Sequence, residues 1–286
     1  MEQLITVVIP TYNRAHLLRR ILPSYLQSCV KEVIFINDAS TDNTQEVLEE
    51  LSFNDKRVKW KTLEFNSKQA AAKNVGLELV STDYVYFGDD DSYLIDGMLE
   101  RMLELYQTGR YSLVAARAVY LIEEGSGEYY KKDFDFLSDI RTLETNFALD
   151  IKEPRESVLA PACHIISTEI AKKVRFDEAY KGNGFREETD FVVRVNNFTG
   201  LFPIICSDCT QINLPRSCST GGAHAFSNLS YDFYKLRNTV RFLIKNRKIL
   251  YDSSQNRTNF CLVMKGVLMQ IIKQRASSIK RLISFD

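Results

Sequence analysis

Histidine is scarce in this chain, with three among 286 residues, at positions 16, 164 and 224. That leaves little material for an imidazole-rich metal cage or a Ser-His-Asp relay, and no nucleophile elbow accompanies a candidate serine. Glycine is missing from the turn Pro10-Thr11-Tyr12-Asn13 after the first strand-like run. The chain therefore lacks the Gly-x-Gly-x-x-Gly turn of a dinucleotide oxidoreductase. It also lacks the Gly-rich, basic loop with which a sugar nucleotidyltransferase would cradle a triphosphate. An excess of one charge is absent too: 37 Lys and Arg stand against 37 Asp and Glu, which gives no case for a nucleic-acid partner. No apolar run reaches the roughly 18 residues of a spanning helix, and no basic-then-apolar leader precedes the first strand. The sequence thus predicts a cytoplasmic protein whose six cysteines stay reduced.

With 45% hydrophobic and 26% charged residues, the chain is ordinary soluble material, long enough for one large α/β domain with a helical appendage. Strand-like and helix-like segments alternate through its first hundred residues. Strands are predicted at 6–9, 32–37, 57–63 and 84–87, with helices at 14–28, 44–51, 68–80 and 97–107 between and after them. Asn13 is placed as N-cap of the first helix, and Pro23 should bend or break that helix. Four β-α repeats imply a parallel, doubly wound sheet, in which ligands sit beyond the carboxyl ends of the strands. Thr11, Asp38 and Asp89 all follow strand ends and are expected to converge there.

Asp89-Asp90-Asp91 follows the apolar and aromatic run that ends at Phe87. Carboxylates this close repel one another at a buried strand mouth and call for a counter-charge, for which a divalent cation is the obvious choice. Oxygen ligands suit Mg²⁺ or Mn²⁺. A solvated acidic turn leading into the next helix is the plainer alternative. Beyond a strand at 112–120, residues 123–157 show no period and read as a functional loop or lid. Helices are predicted from Ser167 and at 185–198, and Glu187, Glu188 and Asp190 in the first turn of the latter complement its dipole. Cys206 and Cys209, with Cys218 and His224 downstream, have zinc-ligand chemistry. Their flanks, 202–205 and 210–213, read as two short strands, which favours the cysteines as core or turn residues. His164 in an apolar segment reads as core or acceptor wall. The C-terminal fifth is helical at 231–246 and 259–278 and increasingly basic. It suits either an anionic membrane surface or packing on the rest of the chain.

Taken in order, Val7-Val8-Ile9-Pro10-Thr11-Tyr12-Asn13-Arg14, Asn37-Asp38-Ala39-Ser40-Thr41-Asp42, Ala72-Lys73-Asn74-Val75-Gly76, Asp89-Asp90-Asp91 and the stretch 185–194 resemble the family 2 glycosyltransferases. The resemblance implies the GT-A fold, an α/β architecture with a doubly wound, mostly parallel sheet flanked by helices, here with a C-terminal helical extension. It divides the chain into a glycosyltransferase domain at 1–225, with a nucleotide-binding half at 1–110 and an acceptor half at 111–225, and an extension at 226–286.

It also implies roles. Pro10, Thr11, Tyr12 and Asn13 belong to the nucleotide pocket, and Asp38 would accept a base N–H, which favours uracil and so a UDP-sugar donor. Arg14 and Lys73 would lie near the ribose and diphosphate, Lys73 standing where many relatives carry Arg. Asp89 and Asp91 would be the ends of a D-x-D motif. Asp91 would contact Mn²⁺ or Mg²⁺, and Asp89 or Asp90 the ribose. Asp89 and His224 are further metal candidates. Arg186-Glu187-Glu188-Thr189-Asp190 resembles the family's base motif, with Glu188 as the favoured base and Glu187 and Asp190 as alternatives. Many relatives have a metal-binding histidine shortly before a Gly-Gly pair, and Asn213 stands there instead, ahead of Gly221-Gly222. The stretch 217–223 is a candidate closing loop. The expected reaction is inverting sugar transfer to a glycan or lipid-linked acceptor, in the cytoplasm or at the inner face of the membrane. A catalytically silent sugar-nucleotide-binding relative is the rival.

Overall fold

The computed structural model describes residues 3–220, 228–252 and 259–283. Its frame is one mixed sheet. Four parallel strands, β1 (Ile5–Thr11), β2 (Val30–Asn37), β3 (Val58–Thr62) and β4 (Tyr84–Phe87), are joined by α1 (Ala15–Tyr25), α2 (Thr44–Asn54) and α3 (Gln69–Leu79). The edge strand β5 (Ser92–Leu94), then α4 (Met98–Tyr106), β6 (Val114–Tyr120), β10 (His164–Ser167) and β11 (Ile204–Asn213) complete it, in the order β3-β2-β1-β4-β10-β6-β11-β5. β10 runs antiparallel between β4 and β6, and a two-residue strand, β9 (Arg155–Glu156), pairs with the edge of β11.

β1 and β2 are buried on both faces, which is why they read as unbroken Val/Ile/Phe runs. Gly76 lets α3 lie against β1: a Cβ there would come 2.3 Å from the Val8 side chain. The strand order reverses between β1 and β4. The loops after those two strands, carrying Pro10 to Arg14 and Asp89 to Asp91, flank the crevice that this reversal leaves.

Several expectations change. Asn13 is not the N-cap of α1; that position falls to Arg14, while Asn13 takes a left-handed backbone (φ 55°) and turns its side chain to the next loop. β5 was not expected, because a three-residue strand has too short a period to read. The two strands expected around Cys206 and Cys209 are one, β11, whose register against β6 jumps from Cys206 to Thr210, so the intervening residues bulge out. Both cysteines are buried core residues, as their flanks suggested. Within 123–157 lie only β9 and a two-stranded ribbon, β7 (Ser138–Asp139) with β8 (Glu144–Thr145).

Residues 111–225 add α5 (Thr168–Val174) and α6 (Glu187–Thr199), and the chain continues through α7 (Asn228–Lys245), α8 (Arg247–Asp252) and α9 (Phe260–Ile283). Phe242, Leu243, Leu250 and Val263 from these last helices bury with Tyr180, Leu143, Leu159 and Val193 in one cluster. The inner face of these helices therefore packs on that part of the chain. Among the described residues no helix is long and apolar enough to cross a membrane.

Candidate active site

The acidic triplet is held from below. The Tyr25 hydroxyl donates to the Asp89 carbonyl (3.0 Å) and accepts the Asp89 amide (3.2 Å), fixing the turn where β4 ends. Arg14, 3% exposed, lies under the triplet, with Nη1 3.2 Å from Asp91 Oδ2 and Nε 3.9 Å from Asp90 Oδ1. Part of the counter-charge that the sequence reading assigned to a metal is thus supplied by the chain, and Arg14 is engaged with carboxylates. One guanidinium does not balance three acids. Burial pushes Asp89 up to about 7, with Glu188 and Asp91 acting the same way and Lys73 against them. Burial also pushes Asp90 up to about 6, against the pull of Arg14.

An all-oxygen, under-compensated donor set fits a hard divalent cation. Among the described residues, however, the three carboxylates do not converge on a single point as a ready cage. The fit is to a cation that takes one or two carboxylates and completes its shell with phosphate oxygens and water. Asn213 does not reach the triplet directly. Its amide donates to the Val119 carbonyl (3.0 Å) and accepts from Gln211 Nε2 (3.2 Å), and it is Gln211 that bonds Asp89 Oδ2 (3.0 Å). His224 lies outside the described residues, as do Gly221 and Gly222. Cys218 stands apart from the Cys206–Cys209 pair and donates to Glu124 (3.0 Å), so the four-ligand zinc arrangement is not assembled. Cys206, Asp208 and Cys209 alone cluster.

The wall beside the triplet is stitched from three loops. Asn13 Oδ1 accepts the Thr41 amide (2.8 Å), and the Asn13 amide donates to Ser40 Oγ (2.9 Å). The Asp38 amide donates to the Thr11 carbonyl (2.9 Å), and its carboxylate accepts the amides of Ser67 (2.6 Å) and Lys68 (2.9 Å). Burial raises Asp38 above the usual carboxylate range, while those two amides pull it back. Pro10, Thr11, Tyr12, Asn13 and Asp38 therefore share one wall, and Thr11 and Tyr12 also interact with Asp90 of the triplet next to it.

Lys73 joins that wall to α6. Buried to 1% exposure, its ammonium lies 2.6 Å from Glu188 Oε1 and 3.2 Å from Glu187 Oε1. Burial works against the charged form, but Glu188, Glu187 and Asp89 more than reverse it, so Lys73 stays firmly protonated. It is therefore committed to the acids of α6. The two glutamates differ: Glu187 is buried with Oε2 unpartnered and is pushed up to about 7, chiefly by burial, with Lys73 opposing. Glu188 keeps 31% of its side chain exposed, with Gln69 Nε2 donating to it at 3.2 Å.

Asp190 is excluded as a base by its surroundings. It is fully buried, and its oxygens are taken by Arg194 (2.7 Å), Lys245 (2.9 Å), Asn246 (2.7 Å) and the Tyr180 hydroxyl (3.2 Å). It anchors α6 to α7. Helical spacing could have separated it from Glu188, since positions 187 and 190 share a face that 188 leaves. No local signal announced Gln211 or the Arg14 contact, because both are tertiary. His164 is core: its ring lies against Phe191 and Phe87, with Nδ1 3.0 Å from the Pro161 carbonyl.

Comparisons with known proteins agree with this geometry. Glycosyltransferase GlyG of Streptococcus pneumoniae is 28% identical over 193 residues, covering 65% of this chain and 62% of the relative. The first curated relatives are matched over 62% of their length or less. Among solved structures, residues 1–349 of S. aureus TarS in complex with UDP-GlcNAc superpose with a TM-score of 0.59 at 18% identity, covering 88% of this chain and 71% of that one. A mannosyltransferase from Pyrobaculum calidifontis, in complex with GDP-Man and Mn²⁺, gives 0.61 at 16% identity over 87% and 65%. The fold is GT-A. The model of glycosyl transferase family 2 matches residues 6–175, more than half of the chain, and with the crevice and acids in their places the chain belongs to that family.

Proposed function

We propose that this chain transfers a sugar from a nucleoside-diphosphate donor, UDP in preference, to an acceptor hydroxyl with inversion, Glu188 acting as base. The observation that carries the reading is the pairing of one open carboxylate, Glu188, with Lys73 across the crevice from the acidic triplet. Glu188 takes the proton of the acceptor hydroxyl as that oxygen forms its bond to C1 of the sugar. The bond from C1 to the diphosphate oxygen breaks with its electron pair, and the nucleoside diphosphate leaves. Lys73 and Gln69 hold Glu188 against the crevice so that its lone pair faces the acceptor. Arg14 keeps the triplet from repelling itself apart before substrate arrives. Asp91, with Asp89, would hold Mn²⁺ or Mg²⁺, which offsets the charge growing on the leaving diphosphate. Asp38 retains lone pairs for a base N–H beside its two amide contacts.

Residues 1–110 would form the nucleotide half, 111–225 the acceptor half and 226–286 a packed extension. Leu229, Phe233 and Ile244 on α7 and Ile272 on α9 are exposed apolar residues, and α9 also carries the exposed Lys265 and Lys273, which supports contact with an anionic membrane surface. Co-sedimentation with anionic vesicles tests it: Phe233→Glu with Ile272→Glu should abolish binding, and unchanged binding would dispose of the idea.

The central test is thermal unfolding with UDP, GDP, dTDP and CDP, each with and without Mn²⁺, followed by turnover of the matching sugar nucleotide. Ligand at about 100 times its Kd adds roughly 2.7 kcal/mol, several degrees for a chain of this size. A metal-dependent shift with UDP and measurable transfer support the reading. A shift without turnover against any hydroxyl acceptor would leave a silent sugar-nucleotide-binding protein.

A further inference from the structure

Four cations, Arg186, Lys235, Lys132 and Arg216, lie near one another, and among the described residues none has a carboxylate within ion-pair distance; Glu144 acts on Lys132 only from beyond it. Arg186 immediately precedes the two glutamates. Its guanidinium lies 5.0 Å from the centre of the Phe185 ring, its Nε is buried without a hydrogen-bond partner, and Nη1 reaches only the Leu143 carbonyl (3.3 Å). Lys235 on α7, 4% exposed, stands over the same ring at 5.3 Å. Lys132, from the irregular 123–157 segment, bonds the Thr145 carbonyl, and Arg216, just past β11, lies 6.0 Å over Tyr231.

Burial and then Arg186, Arg216 and Lys132 push the Lys235 ammonium below its ordinary value, and Asp232 alone acts the other way. That carboxylate is already held by Arg275 (2.7 Å). Arg186 is pulled down to about 10 by burial, with only Tyr180 opposing. Residues 221–227, which join β11 to α7, contain no Asp or Glu. Buried cations of like sign without carboxylates are costly unless a ligand supplies the anion. None of the four comes from the loops after β1, β2, β3 and β4 that build the wall and the triplet.

We infer that the acceptor carries a phosphate group, mono- or diester, and that Arg186 and Lys235, with Lys132 and Arg216 at the rim, bind it. The inference rests on the transferase reading of the same cleft. Arg186 offers paired N–H donors of the geometry a phosphate accepts, and the lysines add point charge. The phosphate has two chemical sources: a polyol-phosphate polymer, or the diphosphate that joins a glycan to a polyprenyl lipid.

The test uses the full chain saturated with UDP and Mn²⁺, so that the donor site is filled and its filling is checked first by the thermal shift. Titration calorimetry then compares three probes: a glycerol-phosphate oligomer, a short-chain prenyl-diphosphate sugar and a neutral oligosaccharide. One phosphate-bearing probe should bind more tightly than the neutral one, and which of the two does so identifies the source. Arg186→Gln and Lys235→Met should each weaken that binding about 10- to 100-fold, the loss of one hydrogen bond to a charged group, and leave the UDP-induced shift unchanged. Lys132→Ala, at an exposed position, gives a smaller loss and serves if either buried variant does not fold. The inference is overturned if neither phosphate probe outbinds the neutral one, or if the variants leave probe binding unaltered. It is equally overturned if they weaken UDP in step, which would assign the cations to the donor. Absence of any UDP shift in the unsubstituted protein would instead sink the transferase reading.

Discussion

Two charged clusters of opposite sign stand in this molecule and are reached by opposite routes. In one, three consecutive acids stand on one turn, braced by Tyr25 and partly neutralised by a buried arginine. In the other, Lys132, Arg186, Arg216 and Lys235 come from four separate segments, and among the described residues no acid forms an ion pair with them, Asp232 and Glu144 acting only from a distance. Crowding like charges on one turn is a local act, supported by a sheet that is buried on both faces. Gathering them from positions 132 to 235 requires the acceptor loop, α6 and α7 to be packed first. The acidic cluster is therefore a property of the sheet, and the cationic one a property of the assembly around it.

The sharpest break in this comparison comes at its middle. Glu188→Gln should lower kcat by about 10²- to 10⁴-fold, the worth of a general base, with the UDP-induced thermal shift intact. Should Glu187→Gln prove the crippling change and Glu188→Gln a mild one, the roles of the two glutamates are exchanged. Next in size, Asp190→Asn leaves Arg194 and Lys245 without their buried partner and should cost about 3–5 kcal/mol, read as a fall in Tm of roughly 6–20 °C. An unchanged Tm would mean that α7 is not tied to α6 through this acid.

In the acidic cluster alone, Asp91→Asn should remove most of the Mn²⁺-dependence of the UDP shift while leaving a residual metal-free shift. Undiminished metal dependence would move the ligand to Asp89 or to His224. The smallest effect at neutral pH is expected at His164, whose buried ring is held down to about 4, chiefly by burial. Its folded-state pKa lies below the unfolded one, so the neutral ring contributes stability above about 6.5 that is lost as pH falls towards 4. His164→Phe should flatten that part of the stability curve and do little at pH 7.5. A slope identical to that of the parent protein would show that the ring does not titrate with unfolding.

The difference between the two clusters also explains what the sequence could say. β1, β2 and β4 were legible because strands buried on both faces are written as apolar runs, and β3, Val-Lys-Trp-Lys-Thr with only Val58 buried, through its alternating pattern. The triplet and Asp38 were legible because they sit one or two residues beyond those runs. β5 and β9, at three and two residues, exist only through pairing with β11, which no local pattern encodes. Asn13 looked like a cap because its residue type suits one, yet the same type also suits the left-handed turn it adopts. Arg14 and Lys73 were placed near phosphates by resemblance. Their contacts with Asp91 and with Glu188 depend on partners 77 and 115 positions away. The cationic cluster escaped notice for the same reason, multiplied by four.

Arg186 caps α6 with a left-handed backbone, φ 73° and ψ 1°, a conformation that glycine enters freely and a side chain enters at a cost of about 1–2 kcal/mol. A selection experiment for heat resistance should thus favour Arg186→Gly, giving a protein that melts later and works worse.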